Sequence, residues 1–304
     1  SQEINSNDNP DDPIAGNLTF EHVVVDSDNP PNPHCKTVGD INGDNFPDIL
    51  AASSGNNATG LFWYEYPNWS KHQIASGSFT TDMQVGDVDN DGDMDVIIPR
   101  GISGGSTVHW FENPRPGGSP AQDVWTEHDI GTADAHDVEV ADLNRDNKLD
   151  VVVRLFDVSV LIQDSPTTWT NVPISAGGRA GLALVDINND NRTDIVMDGF
   201  WLMAPADPAS GTWQKFVFAD GWEGKDVGVT PHDLNNDNRM DILIAPAESE
   251  GQLVWYEASD YPTDKDQWVE HVIDSDVSYI HTFKVADIDL DGDMDIAGAG
   301  YVSD

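Results

Sequence analysis

The chain has 304 residues and a formal net charge of −41, from 55 acidic against 14 basic residues. That balance excludes nucleic-acid binding through phosphate contacts and argues against adhesion to anionic membranes. A hydrophobic content of 38% suffices for a core, the single Cys35 rules out an intrachain disulfide, and no apolar run reaches the ~20 residues that span a bilayer.

In chain order, residues 1–17 (SQEINSNDNPDDPIAGN) are polar and rich in Pro, Asn and Asp, the composition of a disordered tether. Residues 18–304 are expected to form one all-β domain. The stretch 20-FEHVVVD has the character of a strand. Six segments then align without gaps: 40-DINGDNFPDIL, 87-DVDNDGDMDVI, 142-DLNRDNKLDVV, 186-DINNDNRTDIV, 233-DLNNDNRMDIL and 287-DIDLDGDMDIA. Their leading aspartates are 47, 55, 44, 47 and 54 residues apart, a period that signals a solenoid, propeller or array.

The remainder of each period repeats as well. An apolar stretch precedes each segment (83-MQVGD, 283-FKVAD) and an apolar β-run ends it. Next comes an aromatic strand (61-LFWYEYP, 108-VHWFENP, 253-LVWYEAS). The last piece is a strand such as 69-WSKHQI, 125-WTEHDI or 268-WVEHVI, with variants at Trp169 and Trp213. Four short strands per period, punctuated by Gly, Asn, Pro and Ser, predict a β-propeller of four-stranded blades with six repeats visible. The stretch 20-FEHVVVD matches a fourth strand placed ahead of the first repeat, as expected of a strand that closes the ring. The sixth repeat stops after its second strand, and the count leaves a seventh repeat beyond residue 304 open.

Within each segment, oxygen-bearing side chains fall at positions one, three, five and nine. They are Asp40, Asn42, Asp44 and Asp48 in the first loop, then Asp87, Asp89, Asp91 and Asp95 in the second. The third has Asp142, Asn144, Asp146 and Asp150, and the fourth Asp186, Asn188, Asp190 and Asp194. The fifth has Asp233, Asn235, Asp237 and Asp241, and the sixth Asp287, Asp289, Asp291 and Asp295. Odd spacing in a tight loop turns alternate side chains onto one point, and carboxylates crowded there repel unless a cation sits among them. Position six is only Gly or Asn, the residues that best tolerate positive φ. Position seven varies, as expected of a residue that offers only its carbonyl. Hard oxygen donors in a flexible loop suit Ca²⁺, up to six ions in all. The alternative is a set of Asx-turns without metal.

These segments resemble the calcium loops of FG-GAP or VCBS repeats, found in integrin α-subunit heads, a fungal propeller lectin and many bacterial secreted proteins. The likeness covers roughly residues 18–304 and implies a calcium-binding propeller, secreted or at the cell surface. Function does not follow from it, because that family includes adhesins, lectins and enzymes acting on sugars. The aromatic strands also look, more loosely, like propellers of carbohydrate-active proteins such as aldos-2-ulose dehydratase and some polysaccharide lyases.

In a propeller the first strand of each blade lines the axis, so the calcium loops share one face. Six residues before each leading aspartate stand His34, Thr81, His136, Ala180, Val227 and His281, at the mouth of the axial channel on the other face. Arg100 and Arg154 leave second strands there. Arg179 and the loop 221-GWEGKD, with Trp222 and Lys225, join them. Read functionally, Arg100, Arg154, Arg179, Trp222 and Lys225 bind a carbohydrate, an acidic polysaccharide above all. Read plainly, the channel mouth is polar because it is wet. Three histidines could also hold a transition metal. An enzyme reading makes His34, His136, His281 and Arg179 the catalytic candidates of a lyase that cleaves uronate glycans by β-elimination, with Tyr279 or Tyr301 as proton donor. A third reading is a module that adheres to a protein partner. His22, His72, His128 and His271 recur at one strand register and read as blade-building.

Overall fold

The computed structural model describes residues 21–28, 33–101, 106–131 and 135–300. The expected tether, Phe20, Tyr301 and the side chain of His34 lie outside the described residues. Five four-stranded antiparallel sheets succeed one another, each a meander in chain order. The first holds β1 (Pro33–Gly39), β2 (Asp48–Ser53), β3 (Leu61–Glu65) and β4 (Ser70–Ala75). The second holds β5 (Gln84–Gly86), β6 (Asp95–Arg100), β7 (Thr107–Glu112) and β8 (Thr126–Gly131). The third comprises β9 (Asp137–Ala141), β10 (Asp150–Arg154), β11 (Val158–Ser165) and β12 (Thr168–Ile174). The fourth comprises β13 (Ala183–Val185), β14 (Asp194–Val196), β15 (Phe200–Met203) and β16 (Gln214–Val217). The fifth has β17 (Val227–His232), β18 (Asp241–Pro246), β19 (Glu250–Glu257) and β20 (Val269–Ser278). A sixth sheet has only β21 (Ile280–Ala286) and β22 (Asp295–Gly300).

The six repeats read from the sequence thus correspond, among the described residues, to five four-stranded blades and a sixth sheet of two strands. Residues 21–28 pair with no strand. They border a groove with Ile49, Ala51 and Tyr64, and Asp26 accepts from the Tyr64 hydroxyl (2.8 Å) and Lys71 Nζ (2.7 Å). Alternation puts Ile49, Ala51 and Tyr64 on the opposite face of the first blade from Leu50 and Trp63, which pack on the second.

One apolar layer fills each junction between successive sheets. Leu50 and Trp63 meet Val96 and Phe111; Ile97 and Trp110 meet Val151 and Leu161; Val152 and Val160 meet Ile195 and Leu202. Val196 and Trp201 meet Ile242 and Tyr256, and Leu243 and Ala245 meet Phe283 and Ile296. A second strand is covered on both faces, which is why DVVVR and DILIAP are continuous apolar runs while outer strands alternate. Each buried Trp hides on the order of 200 Å², worth several kcal/mol at about 25 cal/mol/Å².

The recurring histidines build the blades. His72 stacks on Trp63, His128 on Trp110 and His271 on Trp255, with ring centroids 4.5, 4.2 and 4.2 Å apart. Each also meets the glutamate ending the third strand: Glu65 at 3.3 Å, Glu112 at 2.7 Å and Glu257 at 2.9 Å. Among the described residues no helix is long and apolar enough to cross a membrane.

Candidate functional sites on two faces

All six aspartate loops connect the first strand of a sheet to the second and share one hydrogen-bond scheme. In the fourth loop, Asp186 accepts the backbone N–H of Asp190 (3.1 Å) and Asn191 (2.6 Å), and Asn188 accepts that of Asp190 (3.0 Å). Asp194 accepts from Ile187 at 3.1 Å and, across the sheet, from Ala204 at 2.7 Å. The position-nine carboxylates of the first five loops are almost wholly buried and tie each loop to the end of the third strand. Position six has positive φ in every loop: Asn45, Gly92, Asn147, Asn191, Asn238 and Gly292. Position four does too, which the sequence reading missed: Gly43, Asn90, Arg145, Asn189, Asn236 and Leu290.

Carboxylate oxygens of Asp87, Asp89 and Asp91 lie within 4.8 Å of one another, as do those of Asp287, Asp289 and Asp295. In the second loop, Asp93 is 4% exposed and both its carboxylate oxygens are buried without a hydrogen-bond partner. Burial, then the charge of Asp91, pushes its pKa up to about 7. An all-oxygen donor set with an orphaned buried carboxylate fits a hard divalent cation.

The opposite face carries a cavity of about 400 Å³ lined by His136, Leu155, Phe156, Arg179, Asp226 and Glu248. The third sheet contributes His136, just before β9, and Leu155 and Phe156, just after β10. Arg179 precedes β13, Asp226 precedes β17 and Glu248 follows β18. Arg179, 55% exposed, donates from Nη1 to Asp226 at 3.0 Å. His136 Nδ1 lies 2.9 Å from Asp137 Oδ1. Burial opposes its protonation, yet the hydrogen bond and charge of Asp137, helped by Asp226 and Asp82, hold its pKa above the ordinary value. His281 reaches the cavity through Glu248, at 3.2 Å.

Carboxylates stitch the blades around this mouth. Asp82 accepts the Val138 N–H, Asp137 that of Gly181, and Asp226 that of Ala180. Burial, then the charge of Asp137, pushes Asp82 up to about 7; burial, then the charge of Asp82, pushes Glu139 up to about 8.

The cavity thus brings together His136 and Arg179, with His281 behind Glu248, but not the other cations. Arg154 is fully buried; it pairs with Asp198 and donates to the Gly181 and Gly177 carbonyls. Its expected ligand role is corrected to that of a brace between the third and fourth blades. Arg100 is committed to both oxygens of Glu127 at 2.7 Å. Trp222 is 9% exposed and donates to the Tyr256 hydroxyl at 2.9 Å, inside the layer between the fourth and fifth blades. Its expected sugar-stacking role is corrected: burial removes its face from any ligand. Lys225 stands over that ring, 5.2 Å from its centroid, and does not line the cavity. The aromatic that does is Phe156, 59% exposed. Its signal was available, an aromatic in a short turn two residues after Arg154. Among the described residues, neither cluster of three metal-ligating side chains includes a histidine.

Residues 40–98 and 208–298 match the FG-GAP-like repeat. Rhamnogalacturonan lyase YesW superposes with a TM-score of 0.51 at 12% identity, covering 88% of this chain and 55% of the lyase. A Bacillus licheniformis rhamnogalacturonan lyase gives 0.51 at 13% identity, with the same 88% and 55% coverage. The V. cholerae biofilm matrix protein Bap1 gives 0.49 at 11% identity over 84% of this chain and 42% of its own. The chain therefore spans about half the length of these lyases, and at such identities the likeness is one of fold. No match to a protein of curated function was found.

Proposed function

This chain is an FG-GAP-type β-propeller, and we propose that it binds carbohydrate, above all an acidic polysaccharide, outside the cell, on a scaffold whose aspartate loops hold calcium. One observation carries the binding reading. A chain of net charge −41 gathers a half-exposed guanidinium, an imidazole held toward protonation and an exposed aromatic face in one cavity. Arg179 and His136 supply charge for a uronate carboxylate. Phe156 offers a plate for the apolar face of a sugar ring, and Asp226 and Glu248 accept from hydroxyls. Affinity electrophoresis through acidic glycans tests this, comparing the wild type with Arg179→Ala and Phe156→Ala. Retention by the wild type, weakened in both variants with folding intact, supports the reading. Free migration of the wild type in every glycan would leave a protein-adhesion module as the better account.

The calcium reading rests on the donor set and on the buried, unpartnered Asp93. Ions that bind only the folded chain stabilise it by mass action. Thermal unfolding should shift upward strongly in calcium relative to EGTA; an unmoved midpoint refutes it. A second reading, a lyase, is favoured by the Asp137–His136 pair, which orients an imidazole as a general base requires. Growth of unsaturated-uronate absorbance that His136→Ala abolishes would promote it.

A further inference from the structure

The six loops are not equivalent once position seven is examined. It was expected to lend only its carbonyl, and in three loops it does more. Lys148 donates from Nζ to Asp146 Oδ2 at 2.6 Å and to the Gln163 carbonyl at 3.4 Å. Arg192 pairs through Nη2 with Asp190 and donates from Nε to the Ala204 carbonyl at 2.9 Å. Arg239 pairs through Nη2 with Asp237 and donates from Nε to the Ala258 carbonyl at 2.8 Å. In each case the cation meets the position-five aspartate and crosses to the third strand. It lands on the residue whose N–H already binds the position-nine aspartate: Gln163, Ala204 or Ala258. Three independent copies of one staple argue for a built device.

The second and sixth loops are the reverse. Positions one, three, five, seven and nine are all aspartate in both. These two loops supply the carboxylate clusters with oxygens within 4.8 Å. In the second, the position-seven residue is Asp93, buried and with no hydrogen-bond partner on either oxygen. The first loop is intermediate: Phe46 stacks on Tyr66, with centroids 5.3 Å apart, and adds no charge.

We propose that the loops fall into two calcium classes: the second and sixth bind tightly, whereas the third, fourth and fifth carry an internal cation that holds their shape and weakens calcium binding. This rests on the calcium reading above. The physical ground is charge count. Ligand charge tunes calcium affinity over orders of magnitude in oxygen-ligated loops. A fixed ammonium or guanidinium on a shared carboxylate repels an incoming dication and competes for the same oxygen. The propeller would then keep its middle blades ordered when calcium is scarce, while the loops inside the second and sixth sheets loosen.

Calorimetric titration of calcium into the EGTA-stripped full chain tests the partition. Two tight sites followed by weaker ones are expected, with one tight site lost in Asp89→Asn and another in Asp289→Asn. Arg192→Gln and Arg239→Gln should each tighten one weak site by at least about tenfold, the part of a neighbouring charge's repulsion that survives solvent screening at a half-exposed site. They should also lower the unfolding midpoint more in EGTA than in saturating calcium. Six equivalent sites, or no tightening in either glutamine variant, overturn the partition and leave the calcium reading standing. No binding heat, with a midpoint indifferent to calcium, overturns both. If a glutamine variant does not fold, Lys148→Gln in the third loop decides the same point.

Discussion

The loop face and the channel-mouth face of this propeller are assembled by opposite means. On the loop face, nine consecutive residues hold almost every group that shapes the structure. Asp233 accepts from Asp237 and Asn238, Asn235 accepts from Asp237, and Asp241 reaches back to Leu234. On the mouth face the cavity takes residues from three blades, and only Leu155 and Phe156 are neighbours in sequence. A local design can be copied, and this one is copied six times. The mouth exists once, and its chemistry lies where the repeats differ from one another.

The largest expected effect separates two arginines that look alike in sequence. Arg154 belongs to the scaffold of the mouth and Arg179 to its surface, with side-chain exposures of 0% and 55%. Arg154→Ala leaves Asp198 buried without its counter-charge and should cost about 3–5 kcal/mol in chemical denaturation. Arg179→Ala removes half of an exposed pair and should stay within about 1 kcal/mol while weakening glycan retention. Comparable stability losses would mean that the two arginines share one structural role, and the division between scaffold and surface would fall.

That division also marks what could be read from the sequence. Six copies of a loop restricted to Asn or Gly at position six made positive φ there legible, because few other residues adopt it. Position four hid the same requirement, since Arg145 and Leu290 occupy it in two copies and blur the pattern. The Trp–His–Glu stacks were legible as a recurring register, though not as contacts. Single-copy residues misled. Trp222 stood outside the repeat and was read as a sugar platform, yet it packs against the fifth blade, because burial depends on a partner, Tyr256, 34 residues away. Phe156 passed unnoticed for the converse reason: exposure of an aromatic is a tertiary fact.

A smaller effect should appear when pH is varied with calcium saturating, so that the loops are held and the mouth face responds. His136 is protonated more readily in the folded chain than in the unfolded one. Its contribution is complete below the ordinary imidazole range and is lost as pH rises through the folded value. Asp82 and Glu139 are raised to about 7 and about 8, above ordinary carboxyls. The folded chain therefore keeps protons that the unfolded chain has released, and stability falls as pH rises toward those values. All three groups have the same sign, so the unfolding midpoint should decline from about pH 4, where unfolded carboxyls release their protons, and level off above about pH 8, the folded value of Glu139. Glu139→Gln should flatten the upper part of that decline. A rising midpoint, or a slope unchanged in the variant, would place the pH response outside the channel.

The smallest effect probes whether the loop face obeys local rules alone. At position four the backbone has φ of +64° at Leu290 and +58° at Asn236. A leucine there brings its Cβ against the following carbonyl, at a cost of roughly 1–2 kcal/mol, whereas asparagine tolerates the conformation. Leu290 is 81% exposed, so replacing it sacrifices no packing. Leu290→Asn should therefore stabilise the sixth loop by about 1 kcal/mol, and Asn236→Leu should destabilise the fifth by a similar amount. Hydrogen exchange of the Asp291 and Asp237 amides, which donate to Asp287 and Asp233, reads each loop separately from global unfolding. Opposite and nearly equal shifts mean that a rule learned in one copy transfers to another. Two silent substitutions would show that the neighbouring blades, rather than the nine residues, set the loop geometry.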